Sequence, residues 1–155
     1  MKRITFLFAT VAMCVLAAVA LPATKVKSRS GEIKFNDVEK QTREFIGYFD
    51  SIKLTPEEEK IKQEALSQMP APCCSKFSMA TCCCPCNLAK AAWGLSNYLI
   101  ATQGLQADEV RATVKRWIEF THPKGFSGNA CFDNQCDAPF SSDGCGGMNQ
   151  NKLVF

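Results

Sequence analysis

Cysteine spacing constrains this chain more than any other feature of its sequence. Ten of the 155 residues are cysteines: six lie between Cys73 and Cys86, three lie between Cys131 and Cys145, and Cys14 stands alone. Adjacent cysteines rarely bond to each other, because a disulfide needs Cα atoms about 4.4–6.8 Å apart and chain neighbours lie about 3.8 Å apart. The crowded segment therefore predicts thiols that pair with distant partners, stay reduced or bind metal.

Charge and histidine content exclude two classes of function. The chain has 18 Lys and Arg against 15 Asp and Glu, and setting aside Lys2 and Arg3 leaves 16 against 15. This balance gives no electrostatic basis for binding nucleic acid. His122 is the only histidine, so a site built mainly from imidazoles is excluded, whereas one built from thiolates is not.

Residues 1–23 have the layout of a secretory signal peptide. Basic Lys2 and Arg3 precede an apolar run, and Ala18-Val19-Ala20 supplies a small-x-small cleavage pattern. An uncleaved N-terminal anchor is the alternative, since the run approaches the roughly 20 residues that span a bilayer. We expect an exported protein, periplasmic or extracellular, that contacts a membrane only through an uncleaved N-terminus. Thiols tend to oxidise in those compartments.

Hydrophobic spacing predicts an all-α fold, a small bundle of about four helices, within a domain at residues 36–122. The predicted helices cover 37–51, 56–68, a stretch from Asn87 to Gly104, and a stretch that has Asp108 and Glu109 in its first turn and ends before Pro123. No strand pattern competes with them. The aromatic residues predicted to be interior are Trp93, Tyr98, Trp117 and Phe120. His122 is predicted to be a surface or capping residue, with contact to a metal as the lesser alternative.

The segments on either side of this domain are predicted to be irregular. Residues 24–35, which are basic and contain serine, are expected to form a mobile leader. Residues 123–155 are rich in Gly, Asn, Asp, Ser and Cys, a composition typical of loops. Cys131, Cys136 and Cys145 are disulfide candidates there, because a bridge within the tail or to the segment 73–86 would fix a tail that has little to bury. Met148, which follows Cys145-Gly146-Gly147, leaves metal binding by the tail as an alternative. Cleavage of the signal leaves nine cysteines, an odd number, so at least one thiol stays unpaired or forms an intermolecular bond.

The sequence Cys83-Cys84-Pro85-Cys86 runs straight into a predicted helix. Backbone N–H groups at a helix start favour a thiolate and lower its pKa. Thiol–disulfide exchange needs an exposed nucleophile and a nearby resolving thiol. Cys83 and Cys86 are therefore the candidate catalytic residues of an oxidoreductase whose partner would be a thiol-containing protein.

A soft metal ion is the other chemical interpretation of the crowded segment. Thiolates select copper(I), zinc or iron–sulfur clusters, and copper(I) suits an exported site with this many thiols somewhat better than zinc. The candidate ligands are Cys73, Cys74, Cys82, Cys83, Cys84 and Cys86. No organic cofactor is indicated. We expect, first, a metal-binding protein; the alternatives are the oxidoreductase and a disulfide-stapled helical binding module without chemistry.

The order helix, cysteine motif, helix, turn and acidic-start helix resembles the periplasmic thioreductase subunit of cytochrome c maturation. Cys83 and Cys86 match its Cys-x-x-Cys motif, and Ala107-Asp108-Glu109-Val110-Arg111 is similar to the start of its third helix. The resemblance covers about residues 56–120. It implies a small three-helix bundle that reduces apocytochrome thiols.

The chain is also similar to exported bacterial proteins that carry a Pro-Cys-x-Cys-x-Cys motif and a later Glu-Ile-Arg helix, whose function is not established. The matching pieces are Pro72-Cys73, Pro85-Cys86 and Glu109-Val110-Arg111. Both resemblances imply a small helical protein with its motif at a helix start.

Overall fold

The computed structural model describes residues 32–126, 128–129 and 135–155. Its helices are α1 (Val38–Ser51), α2 (Pro56–Ser67), α3 (Asn87–Ala101) and α4 (Ala107–Thr121), and its strands are β1 (Pro70–Ala71) and β2 (Cys74–Ser78). Short 3-10 helices cover Met79–Thr81, Gln135–Asp137 and Phe140–Ser142. The predicted signal peptide, Cys14, Cys131 and residues 24–31 of the predicted leader lie outside the described residues.

The helices begin where local signals place them. Thr55 Oγ1 accepts a hydrogen bond from the Glu58 N–H at 3.3 Å, and the Glu58 carboxylate accepts one from the Thr55 N–H at 2.8 Å. This reciprocal pair satisfies two N–H groups that the first turn of α2 leaves unbonded. The cap of α1 is Asp37, whose carboxylate accepts from the Lys40 N–H at 2.9 Å. Gly104 follows α3 with a φ of 67°, the left-handed conformation that closes a helix.

The prediction of a strictly all-α fold needs correction between α2 and α3. There β1 and β2 form a two-stranded antiparallel hairpin, with Pro70 opposite Ser78 and Ala71 opposite Cys74. Gln68, the C-cap of α2, still has helical backbone angles, and β1 begins two residues later at Pro70. Proline disfavours helix at the residue before it, so the helix cannot continue through Met69 and Pro70. The strands are too short for alternating hydrophobicity to reveal them. The hairpin fold turns Cys73 and Cys74 inward, and both are buried.

The core forms where α1 packs against α3 and where Trp117 of α4 packs against Phe45 and Phe35. Trp117 is fully buried, and its ring lies 4.9 Å from that of Phe45 and 5.3 Å from that of Phe35. Gly94 permits the close approach of α1 and α3, since a Cβ there would lie 1.8 Å from the Phe45 carbonyl oxygen. The other aromatic residues predicted to be interior, Trp93, Tyr98 and Phe120, are half-buried.

Residues 135–155 pack against the helical bundle. Phe140 is buried in the same core as the helices. Backbone hydrogen bonds hold the segment in a folded loop: Gly146 N–H donates to Ala138 at 3.1 Å, and Val154 N–H donates to Gly146 at 3.0 Å. In the part of the chain that the structure describes, every helix is too short or too polar to cross a membrane.

Candidate metal centre

Three parts of the chain bring cysteine side chains to one place. The hairpin contributes Cys73, and the loop between the first 3-10 helix and α3 contributes the cysteines from Cys82 to Cys86. The C-terminal segment contributes Cys136 and Cys145. Proximity in the fold, and not only in the sequence, therefore determines which thiols meet.

The loop alone presents three thiols that can hold a metal ion. The Sγ atoms of Cys82, Cys83 and Cys84 all lie within 4.8 Å of one another. Cys83 is exposed, whereas Cys82 and Cys84 are half-buried.

A hydrogen-bonded network of thiols continues inward from these three residues. Cys82 bonds to Cys73, Cys86 and Cys84, and Cys86 bonds in turn to Cys145. The Sγ atoms of Cys84 and Cys136 lie 3.8 Å apart. We call the connected set the thiol cluster; its members are Cys73, Cys82, Cys84, Cys86, Cys136 and Cys145.

The C-terminal segment reaches the cluster because it caps α3. The first residue before that helix, Cys86, makes no side-chain capping bond. Instead the Asn87 N–H donates to the Gly147 carbonyl at 2.9 Å, and the Leu88 N–H donates to the Cys145 carbonyl at 3.1 Å. The Asn87 side chain also donates to Gly146 at 2.8 Å. Tail carbonyls thus satisfy N–H groups that a helix start otherwise leaves unbonded.

The tail carbonyls bonded to the start of α3 change which groups can stabilise a thiolate in the motif Cys83-Cys84-Pro85-Cys86. The sequence suggests that the start of α3 stabilises the anion directly, but tail carbonyls occupy its first two N–H groups. Thiol–thiol hydrogen bonds take over that role. The bonds from Cys73 and then Cys86 lower the pKa of the Cys82 thiol to about 3, and the Cys84 backbone N–H adds to them.

Cys86 holds its proton more tightly than an ordinary thiol. Its pKa is raised, first by its bond to Cys145 and then by its bonds to Cys73 and Cys82, because ionising it places a negative charge among neighbouring sulfurs. Its side chain is 1% exposed. The candidate nucleophile Cys83 is exposed as expected, but the candidate resolving thiol is shielded from solvent.

The remaining candidate ligand, Cys74, lies outside the thiol cluster, whereas the disulfide candidates Cys136 and Cys145 belong to it. Cys74 is fully buried in β2 and is not among the thiols joined by these contacts. No disulfide joins any two of the eight cysteines in the described residues, which include the candidates Cys136 and Cys145. Cys145 instead donates from its thiol to the Cys136 carbonyl, with Sγ and O 2.6 Å apart. The third disulfide candidate, Cys131, lies outside the described residues.

Sequence reasoning therefore leaves Cys136 and Cys145 out of the candidate ligand set, although it allows the tail to bind metal or to form a bridge to the segment 73–86. The sequence signal that could have pointed to Cys145 is the run Cys145-Gly146-Gly147. Both glycines take left-handed backbone angles, with a φ of 74° at Gly146 and 87° at Gly147. Consecutive left-handed glycines let a backbone approach another element closely. Their position after a cysteine indicates a loop built to place that cysteine against a helix start.

His122 is buried, which corrects the prediction of a surface position, although it is the C-cap residue of α4. Its Nε2 donates to the Gly144 carbonyl at 2.7 Å, and its Nδ1 lies 2.8 Å from Thr121 Oγ1. Burial lowers the pKa of His122. Because hydrogen bonds engage both ring nitrogens, His122 anchors the tail beside Cys145 and does not offer an open ligand atom.

A cavity lies away from the cysteines. It has a volume of about 670 Å³ and is bordered by the end of α2, by β1 and by α4. Met69, Ile118 and Phe126 supply apolar lining. The charged side chains at its border are paired, Arg111 with Asp108 and Lys115 with Glu119. No cysteine lines this cavity, so it is separate from the thiol cluster.

No protein-family model, curated protein or solved structure matches the chain. The resemblance to the thioreductase subunit thus stays a prediction. The chemistry of the site carries the functional argument that follows.

Proposed function

We propose that the protein binds a soft metal ion, copper(I) or zinc, through its clustered cysteines. The observation that carries this proposal is the thiol cluster: sulfurs from three parts of the chain lie in contact without a disulfide among the described residues. Buried thiols that share protons are costly to ionise alone, whereas a bound cation stabilises several thiolates at once.

The donor set determines which metals fit. Every ligand atom available in the cluster is sulfur, and soft thiolates favour copper(I) or zinc over magnesium or calcium, which take oxygen ligands. The triad of Cys82, Cys83 and Cys84 is the part nearest solvent, since Cys83 is exposed. A metal ion delivered from solution would meet this triad first and then reach the buried sulfurs.

Metal analysis of the reduced protein tests the proposal. Protein recovered from its native compartment and kept under reducing, oxygen-free conditions should carry copper or zinc, and a thiol count should rise when a chelator removes the metal. The double variant C82S/C84S should lose most of the metal. C74S, which removes another buried thiol, should keep it. Metal well below one ion per chain, with all thiols reactive in the wild type, rejects the proposal.

Thiol–disulfide exchange is a second candidate, and the exposed side chain of Cys83 favours it. In this reaction the Cys83 thiolate attacks the disulfide of a substrate protein and forms a mixed disulfide. Cys86 then attacks Cys83 Sγ, which releases the reduced substrate and leaves a Cys83–Cys86 disulfide. C86S should trap the mixed disulfide; failure to trap any, with no exchange by the wild type, rejects this candidate.

We also propose that the protein is exported. Support comes from the basic start, apolar run and Ala18-Val19-Ala20 pattern in residues 1–23. Sequencing of the N-terminus of protein from the native host should give a start shortly after Ala20. Recovery of the full-length chain from the cytosol would contradict it.

A further inference from the structure

We propose that the site is polynuclear: it holds more than one copper(I) or zinc ion, bridged by thiolates, and Cys136 and Cys145 of the tail are ligands. This inference rests on the proposed metal binding and goes beyond it in ligand set and stoichiometry. Neither tail cysteine belongs to the set that the sequence suggests.

The number of sulfurs in contact exceeds what one ion needs. A single zinc ion takes about four ligands in a tetrahedral site. Here the thiol cluster joins six cysteines, and Cys83 adjoins it through the outer triad. A mononuclear site would leave buried thiols with no ion to bind, in contact with those that bind one. Bridging thiolates use all of these sulfurs.

Charge leads to the same conclusion. Each protonated thiol that becomes a ligand releases a proton to solvent, so every sulfur bound to metal is an anion. Six thiolates around one divalent ion would keep about four net negative charges in a buried place, where uncompensated charge is strongly unfavourable. Several cations in the cluster reduce that excess. Lys90, one turn beyond Cys86 in α3, directs its Nζ to the Met148 carbonyl at 3.2 Å.

The tail is built to present its cysteines to the cluster. Cys145 lies between Gly144 and Gly146, and added Cβ atoms at those glycines would lie 2.1 Å from the Ala138 carbonyl oxygen and 2.6 Å from the Phe140 ring. The Gly147 backbone N–H donates to the Cys145 sulfur. Hydrogen bonds from the backbone to sulfur stabilise metal-bound thiolates. Cys136 is fixed from the other side, by its contact with Cys84 at 3.8 Å.

Titration of the reduced full chain with copper(I), and separately with zinc, tests the inference by native mass spectrometry. For at least one metal we expect a dominant species with more than one ion per chain. The double variant C136S/C145S should lose at least one ion from that species. The matched control C74S should bind as many ions as the wild type. Circular dichroism of each variant checks that the helices remain.

A measurement on the wild type keeps the test independent of folding of the variants. X-ray absorption at the metal edge should show metal–metal scattering in addition to sulfur ligands. One ion per chain for both metals, or a count unchanged in folded C136S/C145S, overturns the polynuclear site while leaving the proposed metal binding intact. Binding of neither metal would reject both.

Discussion

The Sγ atoms of Cys84 and Cys136 lie 3.8 Å apart, although 52 residues separate these cysteines in the chain. The separation is far longer than the S–S bond of a disulfide, which is about 2.03–2.05 Å. It is suitable for two thiols that share a proton or a metal ion. The contact joins the segment before α3 to the C-terminal tail, so whatever alters tail docking also alters the site.

The Asn87 side chain makes two hydrogen bonds to the C-terminal tail. It is fully buried and donates to Gly146 at 2.8 Å and to Asn149 at 3.1 Å. We expect N87A to leave buried carbonyls unsatisfied and to lower the free energy of unfolding by about 1–3 kcal/mol. The variant should also expose the tail to limited proteolysis and weaken metal binding.

Asn97 offers a matched control on the same helix. It is also buried, but its side chain donates to the Ile52 carbonyl, at 3.1 Å, at the end of α1. N97A should lower the global stability by a similar amount without faster cleavage of the tail relative to the rest of the chain. Equal tail protection in N87A and N97A would contradict the proposed role of Asn87.

Gly146 is predicted to tolerate no side chain. G146A places a Cβ at a φ of 74° and 2.6 Å from the Phe140 ring, so backbone strain of about 1–3 kcal/mol adds to a steric clash. G104A is the comparison, because Gly104 has a φ of 67° with open space around it. Chemical denaturation should show a larger loss for G146A, accompanied by reduced metal capacity. Equal losses would mean that the clash is absent.

The contrast between the helices and the tail explains what the sequence could predict. Thr55, Asp108 and the apolar stripes act within one or two helical turns. Their local pattern therefore predicts α2 to within a residue and places Asp108 in the first turn of α4. Cys145 contacts Cys86 because carbonyls of the tail accept hydrogen bonds at the start of α3. Asn87 and Gly146, one such pair, lie 59 residues apart in the chain. No periodic pattern encodes such a contact, and the hairpin is too short to show one.

Gly94 sets how closely α1 and α3 approach. G94A would put a Cβ 1.8 Å from the Phe45 carbonyl oxygen, in backbone that cannot move away alone. We expect a loss of about 3 kcal/mol in the free energy of unfolding, since overpacking a tight core forces the helices apart. Thermal or denaturant unfolding followed by circular dichroism measures it.

Gly47 in α1 is expected to tolerate a side chain, unlike Gly94. An added Cβ there meets no atom within 4 Å. Alanine should therefore stabilise the helix by about 0.5–1 kcal/mol, because it restricts the unfolded chain more than glycine does. Destabilisation by G47A, or neutrality of G94A, would contradict the packing of these two helices.

His122 should make stability depend on pH below about 6.5. Burial lowers its pKa in the folded state, so on acidification the unfolded chain takes up the proton first and the folded state loses stability. Above the unfolded pKa the ring is neutral in both states and has no effect. Unfolding free energies of wild type and H122Q should run parallel above pH about 7 and diverge as pH falls, with the wild type losing more. Parallel curves throughout would contradict the burial of the ring.

Cys82 should be a thiolate in the reduced, metal-free protein at pH values where ordinary thiols are protonated. With its pKa lowered to about 3 by bonds from Cys73 and Cys86, it ionises far below the roughly 8.5 of an unfolded cysteine. Between those values the unfolded chain binds the extra proton, so this group stabilises the fold as pH rises. Ultraviolet thiolate absorbance near pH about 5 should be present in the wild type and in C74S. It should be lower in C82S, where Cys145 is still a thiol with a lowered pKa, and lower in C73A, which removes the largest contribution to the shift at Cys82. Equal absorbance in wild type and C82S would show that Cys82 is protonated and that the thiol network does not stabilise an anion.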